Sequence, residues 1–115
     1  MALDIAMITF DCTDPDSLAE WWSKAAGGDL NAVAPGNFVM VALQGGPALG
    51  FQKVPDPTPG KNKLHLDLHS ADMEGEVSRL VGLGAHEVGR NNFGDDFQWV
   101  ILVDPEGNAF CVSAG

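Results

Sequence analysis

Asp14 and Asp72 lie 58 residues apart in a chain of 115, each where a strand-like apolar run gives way to a helix-like one. "DIAMITFDC" precedes the first and "PDSLAEWWSKAAGG" follows it; "KLHLDLHS" and "MEGEVSRLVGLGA" flank the second. A carboxylate at such a junction accepts from the unpaired N–H groups of the first helical turn, so both aspartates read as N-caps. Pro15 at the first helical position and Gly27–Gly28 at the stop bound the first helix. Leu18, Trp21, Trp22 and Ala25 recur at helical spacing and predict its buried stripe. Val77, Leu80 and Val81 predict the apolar face of the second. A chain that makes the same strand-to-helix transition twice is best read as a duplication.

The later segments follow the same plan. After the first helix, "NFVMVAL" and "PALGFQKV" read as strands. After the second, "HEVGR" is a weak strand, "NNFGDD" a loop, "FQWVILV" a strong strand and "AFCVS" the last. "DPEGN" is a turn, initiated by Asp-Pro and eased by Gly107. At an offset of 59 residues, "VALQGGPALGFQ" lies over "VILVDPEGNAFC", which pairs Phe51 with Phe110 and Gln52 with Cys111. "PDPTPGKNK" carries three prolines and a glycine and reads as an extended linker. The expected organisation is one domain of two strand–helix–strand–strand–strand modules. They run over about 1–54 and 63–115, with the linker at about 55–62.

At this length, with 45% hydrophobic residues, the chain can bury a core without metals or disulfides. No apolar run approaches the roughly 18–20 residues of a membrane span, and the N-terminus lacks the basic flank and cleavage site of a signal peptide. Cys12 and Cys111 form no CxxC pair and read as two reduced thiols in a cytoplasmic setting. The formal charge is −10, with 16 acids against six bases. It divides evenly between the halves, so it belongs to the whole surface and not to a tail. Such a surface repels nucleic acid and anionic membranes and favours small cations.

Within "KLHLDLHS", Leu64, Leu66 and Leu68 alternate with His65, Asp67 and His69. Successive strand side chains point to opposite faces, so leucines line one side and polar groups the other. Residues two apart on a strand are about 6.6 Å apart, within reach of a shared ion for His65 and Asp67; His69, roughly 13 Å from His65, is too far. Trp99 stands in a strand with Phe97 and Ile101, and periodicity leaves its face open. Cys111 lacks the neighbouring cations or helix start that would make a thiol reactive. The glycines of "GLG" at 82–84 follow a helix instead of opening one, so they are a stop and not a phosphate cradle.

The repeated strand–helix order, "DCTDPDSLAEWW", "HLDLHSAD" and the ending W-V-x-L-x-DPEGN-x-F together resemble the vicinal oxygen chelate superfamily. This is the glyoxalase, bleomycin resistance protein and extradiol dioxygenase group. The resemblance spans the chain and implies an α+β fold of two βαβββ modules. Their mixed sheets would form an open, curled barrel around a cavity, with helices outside; many members are homodimers, which implies one here. On that fold the leucines face a helix, and His65, Asp67 and His69 face the cavity.

In the enzymatic branches, four slots supply metal ligands, one from the first and last strand of each module. Carried over, these fall on Met7, Gln52, His65 and Cys111. His65 alone keeps the residue type typical of the metalloenzymes. A thioether suits soft ions such as copper(I), and a glutamine carbonyl is a weak ligand. The resemblance with this ligand set implies a cavity protein without a tightly bound metal cofactor. Such a protein would bind a small organic molecule, a cationic drug-like compound or metabolite. Contacts are expected from Met7, Gln52, His65, Asp67, Trp99 and Cys111. Two alternatives remain: a glyoxalase-type lyase or isomerase with His65 as ligand or general base, and a dimerising accessory protein with a vestigial cavity.

Overall fold

A computed structural model of the chain describes residues 5–57, 66–93 and 97–114. Contacts divide it into two compact units, Met1–Thr58 and Pro59–Gly115. The first contains β1 (Met7–Cys12), α1 (Pro15–Ala26), β2 (Asp29–Ala34), β3 (Phe38–Ala42) and β4 (Ala48–Lys53). The second contains β5 (Leu66–His69), α2 (Met73–Gly82), β6 (His86–Phe93), β7 (Phe97–Val103) and β8 (Ala109–Ser113). Both are βαβββ units, and each builds a four-stranded mixed sheet, in the orders β1-β4-β3-β2 and β5-β8-β7-β6. The α+β architecture follows the sequence expectation. No helix among the described residues is long and apolar enough to cross a membrane.

In the first unit, β1 runs parallel to β4 while β2, β3 and β4 form an antiparallel meander. Asp14 caps α1 through a bond from the Ser17 N–H at 3.2 Å, and Pro15 begins the helix. Gly27 ends it in the left-handed conformation at φ 75°, which glycine reaches at no Cβ penalty; its N–H closes on Ser23 O at 2.9 Å. Leu18, Ala19, Trp21 and Trp22 are buried under the helix. Every second residue of the strands joins them: Val39, Val41, Leu49, Phe51 and Cys12. The Phe10 ring stacks on Phe51 at 5.0 Å and meets Trp22 at 5.5 Å. Aromatic cores of this kind bury large areas and favour offset and tilted ring pairs.

The second unit repeats the order with smaller side chains. Asp72 caps α2 through the Gly75 N–H at 3.1 Å. Met73, Val77 and Leu80 are the buried helix residues; Val81, expected on that face, is 45% exposed. Met73, Val77 and Leu80 lie four and three residues apart and form one stripe, which Val81 overshoots. The strands contribute Val100, Leu102, Phe110 and Val112. Arg90 on β6 holds the start of α2 by a bidentate pair with Glu74, and it also binds Glu87 at 2.8 Å.

The Asp-Pro turn between β7 and β8 is organised by Asp104, 2% exposed. Its carboxylate accepts from the backbone N–H groups of Glu106 and Asn108 and from the Asn108 side chain, all at 2.9–3.1 Å. A buried carboxylate persists where it is hydrogen-bonded in this way. Two strand expectations change. β2 was not among the named strands, and Asn91, Asn92 and Phe93, read as loop, extend β6. Neither cysteine is in a disulfide.

Candidate functional site

Within each unit the helix packs on one face of the sheet, and among the described residues the other face bears no helix of that unit. Strand parity decides which residues share each face. In β5, Leu66 and Leu68 pair with Phe110 and Val112 of the buried face. Asp67 and His69 therefore point to the other side and are exposed, opposite Cys111 and Ser113. Cys111 in turn pairs with Ile101, and Ser113 with Trp99. The helix-free face of the second sheet thus gathers Asp67, His69, Cys111, Ser113, Ile101 and Trp99. This resolves the face of Trp99, which is partly exposed beside the polar residues. His65 and Leu64 lie outside the described residues, as do residues 94–96 of the "GDD" loop and residues 58–62 of the linker.

In the first sheet, β1 alternates exposed Met7, Thr9 and Asp11 with inward Ile8, Phe10 and Cys12. The parallel ladder sets Thr9 opposite Gly50 and Asp11 opposite Gln52. β3 adds Met40 beside Gly50 and Phe38 beside Gln52. Met7 and Gln52 therefore share the helix-free face. They are not neighbours along it, because Gln52 pairs four residues beyond Met7, roughly 13 Å of strand rise.

The two ladders also reset the internal correspondence. Asp67, 58 residues after Thr9, pairs with Cys111, whereas Thr9 pairs with Gly50. The residue of the first module equivalent to Cys111 is thus Gly50, two positions before Gln52. β4 and β8 agree, starting at Ala48 and Ala109. The donors present near that position in the first sheet are a methionine thioether and a threonine hydroxyl; glycine supplies none. Hard divalent ions prefer carboxylate, imidazole or several oxygen ligands, and position 50 offers no side-chain donor to one. Among the described residues, no three His, Cys, Asp or Glu side chains converge as a metal-holding group.

Against Met73 of α2 and the paired strands β6 and β7 lies a hollow of about 220 Å³, whose lining includes Arg90, Asn91, Gln98, Trp99 and Val100. It is smaller than the roughly 300–1,000 Å³ of a typical ligand pocket, and its guanidinium is engaged by Glu74 and Glu87. That double pairing raises the Arg90 pKa and holds both carboxyls below their ordinary range through hydrogen bonds to Arg90. The group is a structural clamp. The helix-free faces carry the candidate chemistry.

The family model described as a glyoxalase-like domain matches residues 7–113. Among solved structures, a glyoxalase/bleomycin resistance protein/dioxygenase family enzyme from Burkholderia phytofirmans PsJN superposes with a TM-score of 0.83 at 16% identity. The match covers 96% of this chain and 98% of that one. TnmS3, an antibiotic binding protein from Streptomyces sp. CB03234, superposes with a TM-score of 0.73 at 23% identity, covering 97% and 96%. A lactoylglutathione lyase from Agrobacterium tumefaciens gives 0.73 at 15% identity, covering 98% and 94%. At these identities the likenesses establish the fold. No curated protein matches the chain.

Proposed function

This chain belongs to the family of glyoxalase-like domains, and on that premise we propose that it binds a small organic cation without a tightly held divalent metal. One observation carries the reading: where Cys111 faces Asp67 in the second module, the first has Gly50 facing Thr9. A protein that relied on a hard ion would need oxygen or nitrogen donors there. The charge of −10 favours a cationic guest. The likeness to an antibiotic binding protein is in keeping with a binding role. In this reading Asp67 and His65 are the polar anchors of the second module, where Trp99 and Cys111 supply softer and apolar contact. Gln52 and Met7 are the corresponding candidates of the first, each module taken by itself, as binding sites combine apolar walls with a few directing groups.

The test is calorimetric titration of the purified protein with a panel of small organic cations, with and without a chelator. Bleomycin, spermidine, tetraethylammonium and acridine orange would serve. Binding of at least one at micromolar strength, unchanged by chelation and weakened about tenfold by Asp67→Asn, is the expected result. A tenfold loss corresponds to about 1.4 kcal/mol. A stoichiometric divalent ion whose removal abolishes binding would overturn the metal-free reading.

The likeness to a lactoylglutathione lyase favours a second reading, a glyoxalase-type lyase or isomerase in which His65 ligates or takes a proton and Asp67 orients it. That reading requires turnover of an α-ketoaldehyde–thiol adduct that disappears in His65→Ala.

A further inference from the structure

Glycine in the interior of a strand weakens it and marks a place where something approaches the backbone closely. Gly50 lies within β4, flanked by Thr9 of β1 and Met40 of β3. The space its side chain would fill is already in use. A Cβ there would lie 2.7 Å from Met7 Sδ, 3.1 Å from Thr9 Oγ1 and 3.2 Å from Phe38 Cζ. A thioether and a phenyl edge thus converge on the strand from its two neighbours, an attractive pairing of sulfur with an aromatic ring. Both remain accessible, Met7 at 38% and Phe38 in part.

Among the described strand residues of this face, those around the apolar patch carry one sign of charge. Asp11 and Gln52 form the adjoining row and are exposed. Asp29, opposite Ala42, and Asn31, opposite Met40, belong to the same face. Lys53 pairs with Cys12 and so belongs to the opposite parity. Among the described strand residues of this face, the charged groups are Asp11 and Asp29.

We propose that this surface recognises aromatic cations: Phe38 and the Met7 thioether, brought together over Gly50, receive the flat face of the ligand, and Asp11 meets its charge. Ring faces stack on aromatic edges and faces and on polarizable sulfur, and a nearby carboxylate selects for positive charge. The inference rests on the small-molecule reading and narrows its ligand to flat, positively charged ring systems. It also gives the missing donor a use, because a side chain long enough to grip an ion at position 50 would lift Met7 and Phe38 off the strand.

The experiment titrates the full chain with acridine orange, a planar aromatic cation, and with tetraethylammonium, a cation without rings. The parent protein is expected to prefer acridine orange. Phe38→Ala is expected to weaken its binding at least tenfold, Gly50→Leu similarly, and Asp11→Asn severalfold with a shallower salt dependence. Circular dichroism checks that each variant is folded; should Gly50→Leu fail to fold, Phe38→Leu keeps an apolar side chain and is expected to lose about fivefold. Unchanged acridine orange binding in both Phe38 variants would overturn the proposal. So would a parent that ignores acridine orange while binding other cations, although the broader function would then stand. A parent that binds no cation of the panel would remove both.

Discussion

The two modules share a backbone plan and differ in what seats the helix on the sheet. α1 is held by Leu18, Trp21 and Trp22, with the indole of Trp22 meeting the Phe10 ring. α2 offers Met73, Val77 and Leu80, and its first turn is tied to β6 by the Glu74–Arg90 ion pair. One topology is therefore specified by two chemistries. The first turn of α1 also has a polar tie, the Gly36 N–H donating to the Asp16 carboxylate at 3.2 Å, but its seat is chiefly aromatic. A smaller apolar stripe is supplemented by charge, though exposed pairs contribute little each. The helix-free faces diverge as well: thioether, phenyl and glycine lie beside the Asp11 carboxylate on the first sheet, thiol and indole beside the Asp67 carboxylate on the second.

The largest test of this contrast is core truncation. Trp22→Ala should cost about 3–5 kcal/mol, the range for deleting a large buried aromatic. Leu80→Ala in α2 should cost about 2–4 kcal/mol. Chemical denaturation of each variant measures both; a cheaper loss at Trp22 would break the claim that the first seat is the stronger.

The caps should bring the modules back together. Asp14→Ala and Asp72→Ala each remove one side-chain acceptor from the first helical turn and should cost about 1 kcal/mol apiece. Unequal losses would show that Pro15 or the neighbouring packing compensates in one module.

The smallest effect concerns acid. Hydrogen bonds to Arg90 depress the carboxyls of Glu74 and Glu87 below their usual 4.5. A depressed folded-state value means the unfolded chain binds protons first as pH falls. The contribution is therefore whole above about pH 4.5 and fades below it as the folded-state values are crossed. Denaturation midpoints between pH 7 and pH 3 should fall less steeply for Arg90→Gln than for the parent. Equal slopes would mean that the clamp is energetically silent.

Much of the fold was legible because its signals are local. Both N-caps, the Gly27 stop and the Asp-Pro turn are short-range chemistry, and the parity of Leu66 to His69 follows from strand geometry alone. β2 escaped because an edge strand exposed on both sides shows no alternation; its residues are exposed from Asp29 to Val33. The end of β6 escaped because Asn91 and Asn92 look like turn residues, yet ladder pairing to Trp99 and Gln98 keeps them extended. In α2, Met73 was missed as the first member of the buried stripe because it sits in the opening turn, where capping signals dominate. At the site, alignment of the two turns placed Gln52 with Cys111. The parallel ladder, a contact between distant segments, equates Cys111 with Gly50 instead. Register of that kind is set by which apolar faces must be covered, and no window of sequence contains both strands.

The parallel pairing of first and last strand has a kinetic side. Bringing Cys12 to Gln52 spans 40 residues, and closing a loop of that length costs about 3 kcal/mol of chain entropy. The meander β2–β3–β4 joins near neighbours and has no such delay. Each half should thus nucleate on its late strands, with β1 and β5 docking afterwards. The rows that carry Met7 and Asp67 would then be the last surfaces the chain assembles.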